Sequence, residues 1–268
     1  MAMAKCEGIV LRVRDFNEAD RIITVLSGPE GKFEAVARGA RRPRSSMAGV
    51  TQLFTQANML MFRGRNLDTL SSADMVNANS RMRSDLYAMA YGSYIAELTD
   101  AMTGEREPNE ELYSLVSATF NALETDVAPP EIVALGFEMK FMSVIGFKPE
   151  LRSCVSCGVP EAQTIWFGPE AGGLLCDACK PYDPSAVPMG AYGRQLLVRL
   201  MVLPYAQLGQ LGAGGVGLEQ AKAALRAHVD HRVEGRLRTL DFVHHISSMG
   251  REDVIARESG SGSNRQAP

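Results

Sequence analysis

At 268 residues, with 46% hydrophobic and 22% charged residues, the chain has the composition of a soluble globular protein with one large domain or two to three small ones. It contains no run of eighteen apolar residues, so no membrane-spanning helix is expected. The start, Met1 to Lys5, is too short and too polar beyond Lys5 for a secretory signal. The formal net charge of -3 hides a strong polarity, because no acidic residue lies between Glu34 and Asp68. That interval holds Arg38, Arg41, Arg42, Arg44, Arg63 and Arg65, which makes it a local anion-binding candidate.

The first eighty residues read as β structure. Cys6 to Val13 is a strand-like run, with Cys6 as a small core residue at its start. Arg21 to Leu26, rich in β-branched residues, is a second run. Ser27-Gly-Pro-Glu-Gly31 is a turn, and Lys32 to Arg38 alternates and returns as a hairpin partner. Gly39 to Gly49 is a basic loop. Leu53 to Phe62 and Leu67 to Val76 flank Arg63-Gly64-Arg65-Asn66, a hairpin turn. Five short strands in about eighty residues fit a five-stranded OB-fold barrel.

From Arg81 the apolar period becomes helical. Tyr87, Ala90, Tyr91, Tyr94, Ile95, Leu98 and Met102 mark one helix, and Leu112, Leu115, Val116 and Leu123 another. Pro129-Pro130 starts a third, and Ile132 to Ile145 is apolar on most sides, as in a buried helix. Gly146 and Pro149 end it. Tyr192 to Val202, Leu218 to Val233 and Leu237 to Met249 read as further helices. The Ser- and Gly-rich end is a flexible tail. The expected organisation is α+β and multidomain. Residues 1–80 form an OB-fold domain, 81–149 and 183–250 a helical domain, 150–182 an inserted four-cysteine module, and 251–268 the tail.

Two cysteine doublets, Cys154-x-x-Cys157 and Cys176-x-x-Cys179, lie eighteen residues apart and use four of the five cysteines. This spacing builds a structural Zn2+ site, and four protein thiolates leave no open position for water or substrate. Free thiols also fit a reducing cytosol. Trp166, Phe167 and Leu174 are expected to cover the metal. The competing reading, an enzyme using the zinc, lacks the His-x-Glu of zinc deaminases.

The arginine cluster has a bland reading as a solvated loop. Binding is favoured because every member is Arg, whose planar fork suits phosphate and stacks on bases. The cluster also sits on or beside a barrel type that commonly binds single strands. Phe33, Phe54 and Phe62 are stacking candidates, with at least half expected in the barrel core. Gly212-Ala-Gly-Gly-Val-Gly217 matches a dinucleotide fingerprint without a βαβ context and is expected to be a loop between helices. His228, His231, His244 and His245 form no catalytic motif and are expected to supply surface or interface polarity. The fourteen methionines are expected as core filler on the helices.

Glu7-Gly-Ile-Val-Leu-Arg12, Glu18-Ala-Asp-Arg-Ile-Ile23, Gly31-Lys32, Ala37-Arg-Gly-Ala-Arg-Arg-Pro-Arg-Ser45 and Arg63-Gly-Arg-Asn-Leu-Asp-Thr-Leu70 together resemble the N-terminal barrel of the RecO recombination-mediator family. The order of barrel, helices and inserted cysteine module also resembles that family, over about residues 5 to 250. The resemblance implies a non-enzymatic, cytoplasmic and nucleoid-associated protein of recombinational repair. It would bind single- and double-stranded DNA, anneal complementary strands, and with RecR assist RecA loading on DNA coated by single-strand-binding protein. It implies DNA contact by Arg38, Arg41, Arg42 and Arg44, to which Arg63 and Arg65 are added through their hairpin turn. The helical half is the expected contact for single-strand-binding protein. The rival from another class is an RNA- or protein-binding OB-fold adaptor that does not anneal DNA.

Overall fold

The structure, a computed structural model, describes residues 3–65, 67–161, 164–212 and 214–249. The expected tail at 251–268 lies outside them, as does Asn66. The N-terminal segment folds into β1 (Met3–Phe16), β2 (Asp20–Ser27), β3 (Gly31–Ala37), β4 (Gln56–Phe62) and β5 (Asp68–Asn77). These strands close a barrel in the order β1-β2-β3-β5-β4, with β4 pairing back onto β1. All neighbours are antiparallel except β3 and β5, which run parallel from Ala35↔Asp68 to Ala37↔Leu70. Closure leaves no free sheet edge, and this is the connectivity of an OB-fold.

Strand alternation explains the barrel's interior. Val10, Ile23, Val25, Phe33, Ala35, Ala37, Met59, Met61 and Leu70 form its core, with Cys6 beside them. Met59 and Met61 thus fill a barrel as well as methionines fill the helical core. The fourth run was expected to begin at Leu53, but β4 starts only at Gln56. Phe54 takes φ 70, a left-handed turn that no strand accommodates. Part of the basic loop forms a single helical turn, α1 (Met47–Val50).

The helices are α2 (Ser80–Ser84), α3 (Leu86–Met102), α4 (Glu110–Glu124), α5 (Pro130–Val144), α6 (Ala191–Val202), α7 (Gly215–Asp230) and α8 (Arg238–Met249). Side chains set their ends. Asp85 and Asn109 cap α3 and α4 by accepting from Ala88 N and Leu112 N, both at 2.8 Å. Glu97 of α3 accepts from Arg238 N and Thr239 N and so caps α8 from outside.

Barrel and helices share one core. Ile9, Leu11, Leu26 and Phe54 leave the barrel interior and join Tyr94, Ile95, Leu98, Leu115, Phe120 and Phe137 in the helical cluster. Each such burial contributes about 1.5–3 kcal/mol. Gly31, at φ 66, is held against the Glu107 backbone, where an added Cβ would stand 2.4 Å from the nitrogen. No other residue permits that approach at that dihedral. Among the described residues, no helix is long and apolar enough to cross a membrane.

Candidate nucleic-acid interface and metal centre

The cysteine module is built on a small sheet of β6 (Thr164–Gly168), β7 (Gly173–Cys176) and β8 (Val187–Pro188), in the order β7-β6-β8. The two doublets form tight turns. Gly158 N donates to Cys154 O at 2.9 Å with Gly158 at φ 77, and Cys179 N donates to Cys176 O at 3.0 Å. The Sγ atoms of Cys154, Cys157, Cys176 and Cys179 all lie within 4.8 Å of one another. Cys157 and Cys176 are 3.6 Å apart. A tetrahedral ZnS4 site with bonds of about 2.3 Å has edges of about 3.8 Å, so the donor set fits a four-thiolate metal.

The electrostatics point the same way. Burial disfavours the Cys154 thiolate, but backbone N–H groups of Cys176, Cys157 and Ser156 overcome it and bring the thiol down to about 6. A hydrogen bond with Ser156 favours the Cys179 thiolate, yet burial and the neighbouring thiols push it up to about 12. Several thiolates can coexist at this distance only with a cation between them.

The hairpin alternates between two environments, which corrects the expected lid. Trp166 and Leu175, paired across β6 and β7, lie against the cysteines. Phe167 and Leu174, the next pair, join the helical core instead. The Trp166 Nε1–H donates to Asp177 at 3.0 Å, and the Lys180 ammonium lies 3.6 Å above its ring. Asp183, fully buried, accepts from the N–H groups of Glu170, Ala171 and Ser185 and from the Ser185 hydroxyl. Burial disfavours its charge, yet these donors hold its pKa below the usual carboxylate range.

His228 joins this module to α7. It is fully buried, so of the two expected places, surface or interface, it takes an internal interface, and its ring meets Phe167 edge-on at 5.5 Å. Its Nε2 lies 2.8 Å from Phe147 O, and because a carbonyl only accepts, Nε2 carries the proton. Burial, against that hydrogen bond, pushes its pKa down to about 4. Arg232, one turn on, donates from Nη1 to Pro169 O at 2.7 Å and to His228 O at 3.0 Å. His231 is exposed. The Gly212 to Gly217 segment follows a 3-10 turn, Tyr205–Gln210, and runs into α7. No strand precedes it, so the dinucleotide reading has no structural basis.

The basic loop folds back onto the β1–β2 turn. Arg42 N donates to Gly39 O, Ser45 N to Arg42 O, and Gly39 N to Asp20 Oδ1, which fixes two successive turns. Arg38, Arg41, Arg42 and Arg44 are all exposed, and Arg44 sits at φ 63. Arg41 N donates to Ala19 O at 2.9 Å, its Nη1 to Asn17 O at 3.0 Å, and its Nη2 pairs with Asp15 at 3.3 Å. Arg38, Arg42, Arg44 and the exposed Arg65 form no ion pair among the described residues.

Arg63 is different. It pairs with Glu30 and, at 3.5 Å, with the buried Asp68, to which Arg106 also donates at 2.6 Å. Its charge is balanced within the barrel. The acid-free interval in the sequence did not reveal these partners, because the fold brings carboxylates from outside it. Phe33 and Phe54 are core residues, at 1% and 0% exposure, whereas Phe62 is 38% exposed.

Sequence reasoning also passed over Arg12 and Arg14. They extend the cationic surface along β1, each about half exposed, and share Glu34 at 3.0 and 2.7 Å. Their spacing at alternate positions of a strand was the available signal.

The family description "Recombination protein O N terminal" matches residues 1–79, and "Recombination protein O C terminal" matches residues 83–241. Similar curated proteins are the DNA repair protein RecO of Symbiobacterium thermophilum, 37% identical, covering 92% of this chain and 99% of that protein. That of Bacillus velezensis is 38% identical over 81% of this chain and 83% of its own length. That of Bacillus subtilis is 32% identical over 85% and 87%. With both halves matched and relatives of this identity spanning most of its length, the chain belongs to the RecO family.

Proposed function

We propose that the chain acts in DNA repair and recombination as a DNA-binding mediator without bond-making chemistry. The observation that carries this is the folded loop of Arg38, Arg41, Arg42 and Arg44 at the barrel's end, on a chain whose relatives are DNA repair proteins. Guanidinium groups hold phosphates and leave bases free to pair. Two strands on one cationic surface repel each other less, which favours annealing of complementary strands. Arg65 adds a contact at the neighbouring turn, whereas Arg63 braces the barrel through Asp68. Help to RecA loading, with RecR, on strands coated by single-strand-binding protein is the setting this reading supplies. The four cysteines would hold Zn2+ as a brace, since a complete thiolate set leaves the metal no position for a reactant.

Five arginines on single-stranded DNA contribute about -3.5 to the expected salt slope, from roughly 0.7 released ions per contact. Fluorescence anisotropy from low to moderate salt measures it. The Arg38/Arg41/Arg42/Arg44→Ala variant should lose about 2.8 of that slope and most of its affinity at moderate salt. A flat response in the unaltered protein, or unchanged binding by the variant, defeats the reading. Preference for RNA over DNA in a competition arm favours an RNA-binding adaptor instead.

A further inference from the structure

β1 carries a row of side chains that the loop does not account for. Val10 lies in the barrel core and Val13 packs against it, so the alternate positions past the bulge between Val10 and Arg12 face outward. These are Arg12, Arg14 and Phe16, spaced about 6.8 Å apart along the strand. Phe16 ends β1 and is 41% exposed, an unusual cost for an aromatic ring with two arginines in line beside it. On β3, Ala35 and Ala37 point into the barrel, so Glu34 and Val36 face out, and Arg38 continues their alternation. The outer face of β1-β2-β3 therefore carries Arg12, Arg14 and Phe16 on one strand and Arg38 at the end of another.

One carboxylate, Glu34, lies between the Arg12 and Arg14 guanidiniums. Asp100 reaches Arg12 at 3.4 Å, at the helical end of the row. At the Phe16 end, Asp20 stands opposite Phe16 on β2 and accepts from Gly39 N, while Arg38 forms no ion pair among the described residues. The Asn17 to Ala19 turn then leads directly to Arg41, which donates from Nη1 to Asn17 O and from its backbone N–H to Ala19 O.

We propose that this face is a platform for single-stranded DNA, on which a base stacks on Phe16 while Arg14 and Arg12 hold the adjoining phosphates, displacing Glu34. It rests on the DNA-binding reading of the loop and extends it from charge alone to the recognition of unpaired bases. A ring flanked by phosphate-gripping side chains favours an unstacked strand over a duplex, whose bases offer no free face. A phosphodiester carries the same single charge as the Glu34 carboxylate, but two adjoining phosphates give each guanidinium a partner of its own where one carboxylate now serves both, so exchange with Glu34 is favourable.

The test compares oligothymidylate with an abasic oligomer of equal length, for Phe16→Ala, Phe16→Leu, Phe16→Trp and Arg14→Ala. Phe16→Ala and Phe16→Leu should weaken oligothymidylate binding on the order of ten-fold and leave the abasic oligomer unaffected, while Phe16→Trp retains both. Leucine keeps apolar bulk without a π face, so its loss separates stacking from a folding defect. Arg14→Ala should weaken both ligands and lower the salt slope by about 0.7. The platform is overturned if Phe16→Leu binds oligothymidylate like the unaltered protein, or loses both ligands equally. If that happens while the loop variant still loses DNA, only the platform falls. If the loop variant also binds normally, the DNA-binding reading falls with it.

Discussion

In the cysteine module the polar groups are turned inward. Asp183 collects four donors, Arg232 spends two bonds on backbone carbonyls, and the thiols crowd about one point. At the basic end of the barrel the side chains reach outward. Arg38, Arg42 and Arg44 have no ion pair among the described residues, and Arg41 pairs with one exposed carboxylate and donates to Asn17 O. A polar group with all its partners supplied by its own chain has little left to offer a ligand. A guanidinium held by backbone turns but left open to solvent is ready for one. The difference separates a part whose polar groups are partnered within the chain from a part whose cations stay open to solvent, although both are rich in charge or potential charge.

The sharpest way to break this contrast is Cys154→Ser. It should cost several kcal/mol and lower the melting temperature by roughly 10 °C, while the affinity for single-stranded DNA measured below the transition stays unchanged. Scanning calorimetry with and without a chelator, alongside anisotropy, reads both. Loss of DNA affinity at full folding would place the module in the binding surface.

A second test uses pH. The pKa of His228 is depressed in the folded state, so the unfolded chain binds its proton first as pH falls. Its contribution is complete above about 6.5 and is lost between there and about 4, on the order of 3 kcal/mol. Glu138 works in the opposite sense. Burial raises its pKa to about 7, with Tyr94 donating to it at 2.7 Å, so its neutral form stabilises the fold at low pH and that gain fades as pH rises. The difference between the unaltered protein and His228→Gln, in denaturant melts across this window, isolates the histidine. The variant should lose the acid-side decline and retain the Glu138 trend.

The smallest effect is expected at Arg63→Ala. It removes one of two cations from Asp68 and should cost about 1–2 kcal/mol with no change in the salt slope of DNA binding. A drop in slope of about 0.7 would return Arg63 to the binding surface.

The five strands and the long helices could be read from period alone, because alternation and the 3.6 repeat report which face is buried. The shared core was less evident, although Ile9, Val10 and Leu11 in unbroken succession carry the mark of a strand buried on both faces. The short strands of the cysteine module follow from register and metal geometry rather than propensity. Ending the first run at Val13 hid Phe16, which the strand reaches only by continuing past Arg14. Arg63 misled for another reason. Glu30 and Asp68 flank the acid-free interval, and only barrel closure brings them to one guanidinium.

The seating of Ile9, Leu11, Leu26 and Phe54 among the helices has a mechanical consequence. A swinging joint between barrel and helices would have to expose these four side chains to water. A load applied to the barrel's outer face is therefore borne by the helical body as well, because the two parts cannot separate without wetting that shared core.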